Sequence, residues 1–391
     1  MMTDFLFTIP SKVYFGPDSI QKIGTVVAGK GKRAMLITED ILNEWDTVRH
    51  VQELLDKKGV ACIVFDEVGT NSTSTVIDAA LPIARGAQVH LIIGMGGVRA
   101  LSLAKCIAKI IHGTRDIDEY ISGALFPDTF LPYIEVPTTC RNPFMLTDSV
   151  LIIDGRDRTA HLLSTGSPAD TIVFDPLLSM TLSDKYTAAT MLDTFLYAVE
   201  GFFSRKSTFL SDLLFLKAAK ILLENVVPAS KNSEDKDVRV QASQAGLLTS
   251  VGLTVSGLGF GTMLSHVLSG KLMLPQSSAA SILLPHILDW AVSACPGKIE
   301  HLVTQIGYPP ALVEAQPGNE KDNARSRPAV FAEQVRDIIS EVRLPLRLSD
   351  FEKTLQEFLE LSDLVMNFAD MKYLPSAVSN HDIRNILQKA F

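Results

Sequence analysis

Apolar and polar positions over the first 150 residues switch between two periods. Arg33–Thr38 (RAMLIT) and Ala61–Phe65 (ACIVF) are short apolar runs that predict strands. Thr47–Lys58 predicts a helix, with Val48, Val51, Leu54 and Leu55 on one face. Thr75–Ala84 predicts another, kinked or ended near Pro82. Val89–Gly94 is almost wholly apolar, the pattern of a strand buried on both faces of a parallel sheet. Leu101–Ile111 predicts a helix and Tyr133–Val136 a strand. Strands alternating with helices predict right-handed βαβ units in an open, doubly wound, Rossmann-like parallel sheet.

After about residue 180 the period of two disappears. Ala188–Phe203, Phe209–Glu224, Val238–Val251, Met263–Leu272 and Val330–Val342 all carry the helical period. Pro309–Pro328, rich in Pro, Asn, Glu and charge, reads as a surface loop. The expected organisation is an α/β domain over residues 1–180 and an all-helical domain over 181–391.

Composition acts mainly by exclusion. The 391 residues are 47% hydrophobic and 20% charged, which suits a globular protein. Lys+Arg is 36 against 44 Asp+Glu, a net charge of -8 that argues against nucleic acid or anionic membrane as partner. Cys62, Cys106, Cys140 and Cys295 lie far apart without a CxxC pair, so neither a disulfide framework nor a Cys-rich zinc site is expected. The N-terminus lacks the basic and apolar regions of a signal peptide. Ser281–Val292 is interrupted by Pro285, His286 and Asp289, too short and polar to span a bilayer. The expectation is a soluble, cytoplasmic protein.

Ligands of open α/β sheets bind outside the carboxyl ends of the strands. Gly94-Met95-Gly96-Gly97 stands there, between a predicted strand and a predicted helix. Its glycines would let backbone N–H groups approach a phosphate at a helix N-terminus, or simply form a tight turn.

The order of blocks resembles the iron-containing, group III alcohol dehydrogenases over nearly the whole chain. Lys12–Gly16 (KVYFG) is similar to an early strand and Gly of that family. Leu91–Lys105 resembles the GGGSxxDxAK block, Leu131–Thr139 the strand and PTT of PTTxGTGSE, and Asp175-Pro176 the DP before the helical domain. Asp193–Glu200 (DTFLYAVE) resembles DALxHAxE, and Thr262–His286 the HxxxHxLG…PHGxxNAxLLPH region. The resemblance implies the dehydroquinate synthase-like architecture, a homodimer, NAD or NADP, and Fe²⁺ or Zn²⁺ held by one Asp and three His.

The residues at those positions depart from the pattern. Asp193 matches the family Asp, but Tyr197, Thr262 and Gln276 stand where the three His are expected. A phenol must ionise, at a pKa of about 10, to bind a metal well, and neutral Thr and Gln oxygens suit Fe²⁺ or Zn²⁺ poorly. No metal is therefore expected. Asp193 also admits a structural role, and Tyr197 a place in an amphipathic core. His266 is retained four residues after Thr262, either as a proton donor or as a hydrogen-bonded structural residue. His286, in the retained LLPH, reads as structural.

In the nucleotide blocks, GGGS becomes Gly96-Gly97-Val98-Arg99, Ser102 replaces the family Asp, and Cys140-Arg141-Asn142-Pro143-Phe144-Met145 follows Pro137-Thr138-Thr139. Val98 and Pro143 crowd the phosphate path and remove a donor, so NAD or NADP is expected to bind weakly, through Glu39 (at the adenosine ribose), Gly96, Gly97, Thr138 and Thr139. Arg99 and Arg141 either fill the altered cleft and pair with acids such as Glu39 or Asp193, or form a site for a small anion. Cys140, beside Arg141, is either a reactive thiol or a plain buried one.

Two functions follow. One is a divergent family member lacking the metal-dependent dehydrogenase reaction, with a degenerate or repurposed cleft. The other is a metal-free NAD(P)-linked oxidoreductase of a small alcohol, aldehyde or keto acid, with His266 and Tyr197 as proton donors. The maleylacetate reductases offer a further comparison, since Ser102–Ala108 (SLAKCIA) resembles one of their segments, but their His pattern is not met.

Overall fold

A computed structural model describes residues 4–69, 72–232, 234–307 and 327–391. Two compact units divide the chain: Thr8–Leu182, and Ser183–Phe391 with the N-terminal residues up to Phe7.

The first unit contains strands β1 (Lys12–Phe15), β2 (Arg33–Thr38), β3 (Ala61–Phe65), β4 (Leu91–Gly96), β5 (Tyr133–Pro137), β6 (Ser149–Ile153), β7 (Ala160–Ser164) and β8 (Thr171–Phe174). Helices α1 (Ile23–Val27), α2 (Thr47–Asp56), α3 (Thr75–Gly86), α4 (Val98–Ile110) and α5 (Ile117–Ile121) alternate with the first five strands. Among the described residues β1-β8-β5-β4-β2-β3 form one parallel sheet, the doubly wound arrangement that the alternation predicts. On one face of the sheet, Leu36, Leu91, Ile93, Ile134 and Val136 pack with Ile23, Val48, Val51 and Leu55 into a continuous core.

Two local readings need correction, and one element is additional. Strand β4 begins at Leu91, not Val89, because the Val89 N–H turns back to the Ala84 carbonyl. Helix α3 does not end near Pro82 but continues through it to Gly86. Pro82 and Asp78, whose carbonyl it deprives of a donor, are both exposed, so water can replace the lost bond. The antiparallel β6–β7 hairpin, in register Ser149↔Ser164 to Ile153↔Ala160, was not anticipated.

The second unit contains α6 (Asp184–Phe203), α7 (Phe209–Lys231), α8 (Lys236–Leu253), α9 (Phe260–Leu272), α10 (Gln276–Ala294), α11 (Pro296–Ile306), α12 (Arg327–Glu341), α13 (Leu355–Glu360), α14 (Ser362–Val365) and α15 (Asn380–Ala390). Their starts follow from capping chemistry that apolar periodicity does not report. Ser183 Oγ accepts the Tyr186 N–H at 3.3 Å and opens α6, and Asp235 Oδ1 accepts the Asp237 N–H at 3.0 Å and opens α8. The Phe215 ring of α7 lies against Gly201 of α6 and Gly252 of α8, where an added Cβ would fall 2.5 Å from it on either side. Phe5 meets the exposed Phe209 edge-on, with ring centroids 5.8 Å apart.

The loop expected over residues 309–328 lies outside the described residues up to 326, and Arg327 and Pro328 open α12. No helix among the described residues is long and apolar enough to cross a membrane.

Candidate functional site

Each unit carries one cluster of the residues singled out above. In the helical unit, Asp193, Tyr197 and Glu200 follow one another at spacings of four and three, so α6 presents them on one face. Helix α9 supplies Thr262, Ser265 and His266, and the first turn of α10 supplies Gln276 and Ser277. Asp193 and Thr262 are wholly buried, and Tyr197, His266 and Gln276 nearly so.

Two neutral side chains of α10 donate to the Asp193 carboxylate. Gln276 Nε2 donates to Asp193 Oδ1 at 3.4 Å and to Ser265 Oγ at 2.8 Å. Ser277 Oγ donates to Asp193 Oδ2 at 3.2 Å. The Asp193 carboxylate therefore sits at the N-terminus of α10, where the helix dipole favours negative charge. Tyr197 Oη lies 3.5 Å from His266 Nε2, the span of a long hydrogen bond. Among the described residues no group of three or more His, Cys, Asp or Glu side chains is placed to hold a metal ion.

Glu200 belongs to this cluster, and the sequence reading missed it. Its carboxylate accepts the N–H groups of Gly261 at 2.7 Å and Thr262 at 2.9 Å, capping α9. An added Cβ at Gly259 would come within 2.2 Å of the Glu200 carboxylate carbon, so this glycine makes room for it. Burial pushes the Glu200 carboxyl up to about 7, against the lowering effect of hydrogen bonds from Thr262 and Gly261; nearby Asp193 adds to the rise. The signal was available, since Gly257 and Gly259 precede, and Gly261 stands second in, a helix without a side-chain N-cap of its own. His286 stands apart from this cluster; burial, with Arg336 nearby, pulls its imidazole down to about 4.

In the sheet unit the centre is the turn from β4 into α4. Gly96 has φ +148°, a conformation that L side chains rarely adopt, and Gly97 is the N-cap of α4. Glu39 follows β2, whose last residue, Thr38, pairs with Met95. Its Oε1 accepts the Gly97 N–H at 3.3 Å. Burial raises the Glu39 carboxyl, while the Gly97 N–H, Arg141 and Arg99, in that order, hold it down. Arg99 also donates to the Ser72 carbonyl at 3.2 Å. The structure thus gathers Glu39, Gly96, Gly97, Arg99 and Arg141 in one place. Thr138 and Thr139 are buried beside them: the Thr138 N–H donates to the Gly96 carbonyl at 3.1 Å, and Thr139 Oγ1 to the Arg141 carbonyl at 3.2 Å. Cys140 and Val98 are buried. Ser102 has a structural task, its Oγ accepting the Leu151 N–H at 3.2 Å and fastening β6 to α4.

Beneath the loop that follows β5 lies a charged pair that the sequence reading passed over. Lys105 Nζ donates to the carbonyls of Phe144 at 2.9 Å and Thr147 at 3.1 Å, and lies 3.9 Å from Glu135 Oε2. Asn142 Nδ2 donates to Glu135 Oε1. Burial lowers the Lys105 pKa and raises that of Glu135, and each partner opposes the shift of the other. Both residues stand inside apolar runs, LSLAKCIAKI and YIEVP, where a charge needs a partner.

Family models match both parts of the chain: iron-containing alcohol dehydrogenase over residues 10–176, and the C-terminal domain of the Fe-containing alcohol dehydrogenase family over residues 187–391. Alcohol dehydrogenase 4 of Saccharomyces cerevisiae is 25% identical over 292 residues, 74% of this chain and 76% of that one. The 1,3-propanediol dehydrogenase of Klebsiella pneumoniae is 22% identical over 392 residues, 99% of each chain. The crystal structure of sulfoacetaldehyde reductase from Bifidobacterium kashiwanohense in complex with NAD+ superposes with a TM-score of 0.85 at 19% identity, covering 99% of both chains.

Proposed function

The chain belongs to the iron-containing alcohol dehydrogenase family, and from that premise we propose that it is a divergent member without the family's metal-dependent dehydrogenase reaction. The carrying observation is the engagement of Asp193 by the Gln276 amide and the Ser277 hydroxyl. One carboxylate with a phenol, an alcohol and an amide does not fit Fe²⁺ or Zn²⁺, which take imidazole and thiolate nitrogen and sulfur readily. The amide and hydroxyl engage Asp193 as neutral donors. The sheet unit keeps a nucleotide-type turn, and the NAD+ complex of the Bifidobacterium relative supports NAD or NADP as the ligand class, held weakly. We extend the reading to a cytoplasmic homodimer that takes a small anionic ligand through Arg99 and Arg141. The test is elemental analysis after metal loading, with NAD(H) and NADP(H) titrations. Stoichiometric metal that Asp193→Asn abolishes overturns the reading.

The Tyr197–His266 contact favours a second reading, a metal-free oxidoreductase. A hydride from NAD(P)H would reduce the carbonyl carbon of an aldehyde or keto acid. Tyr197 would give its phenolic proton to the oxygen, and His266 would reprotonate the phenolate. The products are the alcohol and NAD(P)+. Turnover that survives a chelator and is lost in both Tyr197→Phe and His266→Ala establishes this reading against the first.

A further inference from the structure

The Gly96–Gly97 turn has the shape that lets a phosphate approach backbone N–H groups, yet its open side is covered by the chain itself. An added Cβ at Gly96 would stand 3.2 Å from Glu39 Cδ, and one at Gly97 would stand 3.3 Å from Oε1. The Glu39 carboxylate therefore fills the space that the two glycines leave. It takes the N–H of Gly97, the N-cap of a 13-residue helix, and its charge is compensated by Arg141 and Arg99. These are the contacts that an anionic ligand would make in the same place.

We propose that Glu39 is an internal competitor for anions: its carboxylate occupies the phosphate seat of the β4–α4 turn, and a phosphate-bearing ligand binds only by displacing it. This rests on the reading of that turn as the nucleotide-phosphate turn. The backbone supports a side-chain mechanism. Glu39 is pinned by an antiparallel bridge to Glu67, and its carbonyl accepts the Leu42 N–H at 3.0 Å. Opening the seat therefore needs rotation about the Glu39 side chain and no movement of the loop. Rotation toward solvent returns the carboxylate to water, which offsets part of the cost of breaking its contacts. Two consequences separate this role from that of a ribose acceptor. A ribose acceptor loses dinucleotide affinity when its carboxylate is removed. A competitor gains affinity for any ligand that carries the phosphate alone.

The experiment is calorimetric titration of wild type, Glu39→Gln and Glu39→Ala with inorganic pyrophosphate and, separately, with NAD+. Glu39→Gln keeps the volume and guards against misfolding of the alanine variant. The expected result is pyrophosphate binding at least about tenfold tighter in both variants, a change of about 1.4 kcal/mol. The gain should disappear when Arg99→Ala and Arg141→Ala are added to Glu39→Gln. Pyrophosphate affinity that is unchanged or weaker without the carboxylate overturns the proposal, as does a gain that persists without both arginines. A gain for pyrophosphate with none for NAD+ keeps the competitor and removes the nucleotide reading.

Discussion

Gln276 and Asp193 meet amide to carboxylate, Nε2 donating to Oδ1 at 3.4 Å. The same amide reaches Ser265 Oγ at 2.8 Å, so it is oriented from two helices and turns its N–H₂ toward the acid. This arrangement supplies hydrogens where a metal needs lone pairs. Purified protein loaded with Fe²⁺ or Zn²⁺ and then desalted is expected to retain neither in stoichiometric amount. Tyr197→His, Thr262→His and Gln276→His together are expected to create retention, read by elemental analysis.

Nucleotide affinity is expected to be weak in the wild type. Val98 is buried at the start of α4, and Pro143 lacks an N–H. Val98→Gly is expected to tighten NAD+ binding by calorimetry. A wild-type Kd of low micromolar or better, about -8 kcal/mol, would contradict the steric argument.

Glu200 predicts the direction of one pH effect. Its carboxyl is raised from 4.5 to about 7 in the folded chain. Between those values the unfolded chain has released this proton and the folded chain has kept it. The contribution to stability is therefore greatest below about pH 4.5, falls as pH rises toward 7, and is level above that. The span is on the order of 3 kcal/mol at most. Glu200→Gln is expected to flatten the corresponding part of the Tm–pH curve. An identical slope in the variant would assign the effect to other groups.

Lys105 and Glu135 are both buried, so each depends on the other. Lys105→Met is expected to destabilise by about 3 kcal/mol, because it leaves the Glu135 carboxylate without its cation. Adding Glu135→Leu should recover part of that loss. A double-mutant cycle in denaturant is expected to give a coupling of about 0.5–3 kcal/mol, and a value near zero would deny the pairing.

How much was legible can be traced residue by residue. Val48, Val51 and Leu55 announced α2, and the run over residues 91–94 announced a central strand, because burial imposes a period on apolar residues. The β6–β7 hairpin stayed hidden because His161 and the Asp-Gly-Arg-Asp-Arg turn dilute its apolar signal. At the sites, motif order located Asp193, Tyr197, Thr262 and Gln276, and the structure joins Asp193 to Gln276 and Tyr197 to His266. Glu200 and the Lys105–Glu135 pair escaped notice. The partners of Glu200 are backbone groups, marked only by the glycines around the start of α9, and the partner of Lys105 is a charge 30 positions away, which no local pattern encodes.

The Phe215 ring, flanked by Gly201 and Gly252, has a consequence for how the helical unit opens. A ring that fits only between two closely approaching backbones has no partial version of that contact. Separating α6 from α8 exposes the ring, and withdrawing α7 leaves a slot that neither glycine can fill. The three helices are thereby tied into one cooperative element of native-state hydrogen exchange. Slowly exchanging amides near residues 201, 215 and 252 should share a single opening free energy, and Phe215→Ala should lower all three together.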